Sequence, residues 1–317
     1  MSGYITSITG AIGGTPLLRL DRIAAHLGLT GHIFAKLDHL NPGFSKKDRI
    51  ALGMIEMAER SGALRPGQTV VEMTSGNTGI GLAMVCAAKG YPFICVMSRG
   101  NSAERVTMVR AFGGDVHLVD QAPGAVTGQV SEADLSRVEA EALRVVAETG
   151  AFYVNQFGND DNATSQEAAA LEMWAQSGGT IQVFADFIGT GGTFAGYARA
   201  LKREDPLIRC YAVEPHGVGY YGGDIIEGTT HAIQGGGYGK PVPFLDPALI
   251  DGTIPVTSEE ATELAQLLAR LEGVFAGYSS GANLWAAIQL LNGREQGQNI
   301  GIVINDCGLK YMSCDLF

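Results

Sequence analysis

Positive charge is in short supply in this chain of 317 residues. Twenty-two lysines and arginines face 33 aspartates and glutamates, for a net charge of −11 at pH 7. No basic stripe or Lys/Arg-rich run interrupts the deficit, so nucleic acid and anionic membranes are not expected partners. An anionic small molecule at a local cationic pocket stays open. Cysteine is also sparse: five residues, at 86, 95, 210, 307 and 314, with no CxxC pair. That odd, scattered set suggests neither a disulfide framework nor a zinc site, and it fits a reduced, cytoplasmic setting. Cys86 and Cys95 sit in apolar runs and read as small buried hydrophobes. No uninterrupted apolar run approaches ~18 residues, so no membrane span is expected. The opening MSGYITSITG lacks the basic and apolar regions of a signal peptide. HExxH, GxSxG and acidic calcium loops are missing, and the histidines at 26, 32, 39, 117, 216 and 231 show no ligand spacing, so no catalytic metal is expected.

What the chain does have is apolar residues (46%, against 17% charged) and 44 glycines. The first proportion predicts a folded globular protein. The glycines punctuate short β-rich runs that alternate with longer helical patterns. Strands are predicted at 69–73, 92–97, 115–119, 181–187, 208–214 and 300–305. Helices are predicted at 77–89, 102–112, 132–148, 193–203, 259–271 and 282–291. Near-continuous apolar strands alternating with helices predict an α/β fold of twisted, mostly parallel sheets flanked by helices. The two batches of units predict two domains. The Gly-rich stretch 217–239 is too irregular for helix or strand and reads as a site loop.

Three turns lead from a strand or loop into a helix. TSGNTG (74–79) combines glycine, hydroxyls and an amide at a helix N-terminus, a receptor suited to a carboxylate; the plainer alternative is an ordinary cap. GTGGT (189–193) suits a phosphate and is neither a Walker A sequence nor GxGxxG. In GYSSGAN (277–283), Ser279 and Ser280 either cap the helix or point into a cleft. Gln156, in NQF, stands at a strand end, where polar side chains often line α/β sites. NPGFSKKDRI (41–50) places Lys46 and Lys47 side by side at a helix start.

Together these stretches resemble the cysteine synthase family, pyridoxal-phosphate enzymes of the β-substituted alanine synthase group related to cystathionine β-synthase. The likeness runs from GGTPLLRL (13–20) through the segments above and on through AVEP, HAIQGGG and AGYSSGAN. It implies a tryptophan synthase β-like, fold-type II architecture with pyridoxal 5′-phosphate in the cleft between two domains. The smaller domain would span 36–148 and carry the substrate-carboxylate loop. The larger would span 149–317, completed by 1–35, and carry the phosphate cup. The family motif N-P-G-G-S-x-K-D-R makes Lys47 the Schiff-base lysine and general base, with Lys46 at the variable position. Neighbours on a helix point about 100° apart, so Lys46 is expected on a solvated face. The resemblance further implies that Gly189, Thr190, Gly191, Gly192 and Thr193 hold the phosphate, Asn77 meets the pyridine 3′-oxygen and Ser279 the pyridine nitrogen. It gives the substrate α-carboxylate to Thr74, Ser75, Gly76 and Thr78, with Gln156. A homodimer is the family expectation.

The implied reaction is β-replacement on an activated L-serine (O-acetyl or O-phospho) with sulfide, through an aminoacrylate, to L-cysteine. Its partners are a small amino-acid substrate and a small nucleophile. The alternatives are a cysteine lyase or desulfhydrase, a specialised β-substituted alanine synthase, or a catalytically silent homologue, against which the intact Lys47, Asn77, Gly189–Thr193 and Ser279 argue. Several positions depart from the family pattern. Phe44 replaces the second glycine of the anchor motif, Arg99 lies in an unusual MSRGNSAER segment, and Tyr220 and Tyr221 are placed to close over substrate. Arg99, with Lys46, would admit an extra anionic group; surface solvation of Arg99 is the competing reading.

Overall fold

The computed structural model describes residues 3–74, 76–100, 103–123, 132–226 and 229–317. In chain order the strands and helices are β1 (Leu17–Arg19), α1 (Asp21–Leu27), β2 (His32–Lys36), α2 (Lys47–Ser61), β3 (Val70–Met73), α3 (Asn77–Lys89), β4 (Phe93–Ser98), α4 (Ala103–Ala111), β5 (Asp115–Val119), α5 (Glu132–Thr149) and β6 (Phe152–Tyr153). They continue with α6 (Asp161–Gln176), β7 (Val183–Phe187), α7 (Gly192–Glu204), β8 (Arg209–Pro215), β9 (Val218–Gly219), β10 (Asp224–Ile225), β11 (Gly252–Val256), α8 (Ser258–Leu267), α9 (Tyr278–Asn292) and β12 (Asn299–Val303).

The chain forms two compact units. One comprises Met1–Ile12 and Asn41–Asp161, the other Gly13–Leu40 and Asn162–Phe317. The division falls elsewhere than the expected 36–148 and 149–317, for reasons of strand pairing. β6, at 152–153, pairs with β3 and so belongs with the smaller unit. β2 runs to Lys36 alongside β12, which keeps the segment through Leu40 with the larger one.

The smaller unit is built on a four-stranded parallel sheet in the order β5-β4-β3-β6. Strand residues alternate between two faces. Val70, Phe93, Cys95 and Met97 pack with Ile50, Met54, Ile80 and Val85 from α2 and α3. Val71, Met73 and Val96 pack instead with Val138, Ala142 and Val145 from α5. Gly81 lets α3 lie close on α2: a Cβ there would stand 3.1 Å from the carbonyl oxygen of Lys47. Cys86 and Cys95 are buried, as their apolar context implies.

The larger unit has a six-stranded sheet, β1-β2-β12-β7-β8-β11, parallel except for β1 against β2. Val183, Ala185 and Phe187 of β7 face α8 and α9 in one cluster, while Phe184 faces α6 and α7 in another. Both sheets are therefore covered on both faces, which is why their strands read as continuous apolar runs. α8 opens on a Thr257/Glu260 capping box and continues as a π-turn over Leu268–Glu272 before Gly273 ends it. α9 begins at Tyr278, four residues ahead of its predicted start, because the small residues of GYSSGAN form its first turn. Among the described residues no helix is long and apolar enough to cross a membrane.

Candidate active site

In the smaller unit the site is built at the ends of β3 and β6 and the starts of α2 and α3. Lys47 is the first residue of α2, partly buried, and its backbone N–H donates to Ser45 Oγ at 3.3 Å. The loop before it is folded back by Asp48. That fully buried carboxylate accepts the Gly43 N–H at 2.6 Å, and a Cβ on Gly43 would stand 2.5 Å from Asp48 Oδ1. Asp48 is thus a positioning residue that sequence reasoning passed over, although the D of its KDR triplet marked it. Phe44 donates its N–H to the Asn41 carbonyl at 2.8 Å and holds φ at +66°, a left-handed backbone, with its ring exposed. Lys46, expected on a solvated face, is buried at 7% exposure. It sits at the N-cap position of α2, inside the folded-back loop and not on the helix's outer surface.

The loop 74–79 is tightly self-bonded. Thr74 Oγ1 accepts the N–H groups of Gly76 (3.2 Å) and Gly79 (3.0 Å), which leaves its own proton to donate. Gly76, with a Cβ position 2.5 Å from Arg105 Cδ, lies directly on that buried guanidinium side chain. Thr78 donates its hydroxyl proton to Gln156 Oε1 at 2.6 Å, and Gln156 Nε2 donates to the Met73 carbonyl at 2.8 Å. The structure therefore brings Thr74, Gly76, Thr78 and Gln156 into one network, with Asn77 opening α3 beside them. Ser75 lies outside the described residues. Arg99 pairs with Asp120 at 2.7 Å, both side chains mostly exposed, which favours the solvated reading of that residue.

In the larger unit, the turn Gly189–Thr193 connects β7 to α7. Gly191 holds φ at +79° as the N-cap, a conformation an L side chain resists. Backbone packs on backbone around it. A Cβ on Gly236 would stand 2.6 Å from the Ile188 carbonyl oxygen and 2.9 Å from Gly189 Cα, and Gly237 N–H donates to that same carbonyl at 3.1 Å. The QGGG of the Gly-rich stretch is thus the second wall of the turn. Asn162 donates to Thr190 Oγ1 at 3.0 Å. Thr193 Oγ1 is buried and has no hydrogen-bond partner among the described residues.

Ser279 stands in the first turn of α9, nearly buried; the N-cap is Gly277, with no side-chain cap bond. Ser280 Oγ accepts the Asn305 N–H at 2.9 Å. Asn283 ties this helix to the strand that leads to the turn: Oδ1 accepts the Phe187 N–H at 2.7 Å, and Nδ2 donates to Asp186 at 2.9 Å and to the Val303 carbonyl at 2.8 Å. Asn283 ends the GYSSGAN motif and, like Asp48, was legible as a residue but not as a role. Tyr221, expected to close over substrate, is tied down. Its hydroxyl oxygen accepts the Val242 N–H at 2.9 Å, and its N–H donates to Glu214 at 3.1 Å. Tyr220 is exposed and packs edge-on against it, ring centroids 5.2 Å apart.

These residues fit pyridoxal phosphate. A glycine turn whose backbone leaves no room for side chains, opening a helix and carrying a buried, unpartnered threonine hydroxyl, suits a phosphate. Lys47, at a helix start, has the primary amine that such a cofactor requires.

The family model for pyridoxal-phosphate dependent enzymes matches residues 8–307. A cysteine synthase of Staphylococcus aureus is 39% identical over 315 residues, covering 99% of this chain and 97% of its own. Among solved structures, O-ureido-L-serine synthase superposes with a TM-score of 0.88 at 34% identity, over 99% of this chain and 95% of that one. The O-acetylserine dependent cystathionine β-synthase of Helicobacter pylori superposes with a TM-score of 0.90 at 31% identity, over 100% of both chains. With its motifs in family order, its doubly covered parallel sheets and these full-length likenesses, the chain belongs to the pyridoxal-phosphate dependent enzymes, in the cysteine synthase and cystathionine β-synthase group of fold-type II.

Proposed function

We propose that this enzyme makes L-cysteine by β-replacement, exchanging the oxygen leaving group of O-acetyl-L-serine or O-phospho-L-serine for sulfide. The observation that carries the reading is a lysine held at a helix start by an Asp48-closed loop, in a chain whose Gly189–Thr193 turn carries a buried Thr193 hydroxyl unpartnered among the described residues. When bound, pyridoxal phosphate supplies the electron sink that acidifies the amino acid's Cα–H. Lys47 Nζ anchors the cofactor and then takes the Cα proton as general base. The Cβ–O bond would then break with acetate or phosphate leaving, a Cβ–S bond would form from sulfide, and Lys47 would return the proton to Cα. Gly189, Thr190, Gly191, Gly192 and Thr193 receive the phosphate, with Thr193 Oγ1 free to donate. Asn77 meets the pyridine 3′-oxygen. Ser279 donates to the pyridine nitrogen, a weaker demand than the proton a carboxylate partner would fix there. The substrate carboxylate takes the Thr74 proton and the first N–H groups of α3. Thr78 has already given its proton to Gln156, so these two shape the loop more than they bind.

A second reading, replacement with another nucleophile or elimination, is favoured by Phe44, where the family motif has glycine, and by the likeness to O-ureido-L-serine synthase. A cytoplasmic homodimer accords with the composition and the family.

The test compares wild type with Lys47→Ala by visible absorbance and by product analysis with O-acetyl-L-serine or O-phospho-L-serine and sulfide. Wild type is expected to be yellow and to form L-cysteine. Lys47→Ala is expected to lose the anchored-cofactor band and at least about 10³-fold of activity, the upper part of the range for a positioned acid–base group. A colourless wild type, inert to every amino acid tried, overturns the reading. Pyruvate without a sulfur product shifts it to elimination.

A further inference from the structure

Glu72 lies inside β3, one residue before its end, and its side chain is fully buried. Its Oε1 accepts the Gln156 N–H at 3.4 Å, while Oε2 is buried with no hydrogen-bond partner among the described residues. Gln156 passes the connection on, through Nε2 to Met73 and through Oε1 to Thr78 of α3. The turn resting on the carboxyl is bent, with Asn155 at φ +55°. A buried oxygen left without a partner is costly, so packing alone gives no reason for a carboxyl here.

We propose that Glu72 is a positioning residue of the amino-acid site: it supports the Asn155–Gln156 turn, and through Gln156 and Thr78 it sets the loop that receives the substrate carboxylate. The inference rests on reading loop 74–79 as that receptor. Facing Glu72 are Lys47 from α2, Cys95 from β4 and Tyr153 from β6, besides the N–H groups of Asn155 and Gln156. Burial dominates and pushes the carboxyl up to about 8; the Gln156 and Asn155 N–H groups, the Gln156 side chain and the Lys47 charge draw it down by less. Glu72 is therefore neutral at pH 7. Its ionisation puts a buried negative charge beneath a loop that must accept a carboxylate, so deprotonation and substrate binding oppose each other. The same proton enters stability. The folded carboxyl sits above its ordinary 4.5, so the native state holds an extra proton and stability falls as pH rises from there to about 8.

The experiment titrates holoenzyme with L-serine, and with O-acetyl-L-serine in the absence of sulfide, following the cofactor band at pH 7 and pH 9 for wild type, Glu72→Gln and Glu72→Ala. Thermal melts from pH 5 to 9 accompany it. The wild-type Kd, relative to that of Glu72→Gln, is expected to rise about tenfold between pH 7 and 9, one decade per pH unit past the titration. The Glu72→Gln melting temperature is expected to gain on wild type as pH rises from 5 to about 8 and to hold that lead above it. Glu72→Ala should raise Kd about tenfold at both pH values, with kcat changed less. If it does not fold, the isosteric Glu72→Gln carries the test. Should wild type bind and Glu72→Gln follow it at every pH in both Kd and melting, the proposal is overturned while the amino-acid reading stands. Should wild type bind neither amino acid, the reading itself falls and takes the proposal with it.

Discussion

Phe44 explains its own rarity. The position that is glycine in the family's anchor motif has φ +66° here, and the loop demands that conformation because the Phe44 N–H closes a turn onto Asn41 while Asp48 grips Gly43. A left-handed backbone costs a non-glycine residue about 1–2 kcal/mol, and glycine's greater unfolded freedom returns part of the gain. Phe44→Gly is therefore expected to stabilise the protein by roughly 0.5–1 kcal/mol, read as a higher urea midpoint at unchanged m-value. A lower midpoint would mean that the ring's contacts outweigh the strain. Strain kept beside a reactive lysine points to use rather than accident. Lys46 carries the opposite lesson: adjacent lysines look solvated in sequence, yet this one is buried at the cap of α2.

The glycine turns act as elements by letting backbone meet backbone. Gly236 lies against Ile188 and Gly189, so the Gly-rich stretch and the strand–helix turn form one wall of the proposed phosphate receptor. A Cβ at Gly236 meets main chain, which cannot rotate aside as a side-chain tip can. Gly236→Ala is expected to weaken pyridoxal phosphate affinity about tenfold, equal to about 1.4 kcal/mol, measured by equilibrium dialysis or by the return of absorbance to apoenzyme. Unchanged affinity would show that the wall yields. Asn283 works at the same scale, linking the first turns of α9 to the end of β7 through two hydrogen bonds and to the end of β12 through a third.

For the whole molecule, cofactor and fold are linked by mass action. A ligand that binds the native chain alone stabilises it by about 2.7 kcal/mol at a hundredfold excess over Kd. Wild-type apoenzyme is expected to show a melting temperature that climbs with added pyridoxal phosphate, and Lys47→Ala a smaller rise, because the covalent link is lost. Equal rises in both would separate anchoring from stability. The composition sets the background: a net charge of −11 gives the molecule an overall field that repels anions, so on the proposed reading the cofactor phosphate is drawn by local backbone dipoles and hydroxyls.

The sequence alone determined the alternation of strands and helices, because doubly buried parallel strands leave unbroken apolar runs, and it marked the candidate site residues, because glycine turns and Lys47-Asp48-Arg49 are local signals. α3 and β5 match their predicted limits, Asn77–Lys89 and Asp115–Val119, to the residue. Tertiary structure alone decided the boundaries between units, which follow the pairing of β6 with β3 and of β2 with β12 across long stretches of chain. It alone buried Lys46, fastened Tyr221 to Val242 and placed Glu72 under Gln156, 84 residues away. Such contacts depend on which distant segments pack together, and no period or motif within a single segment records them.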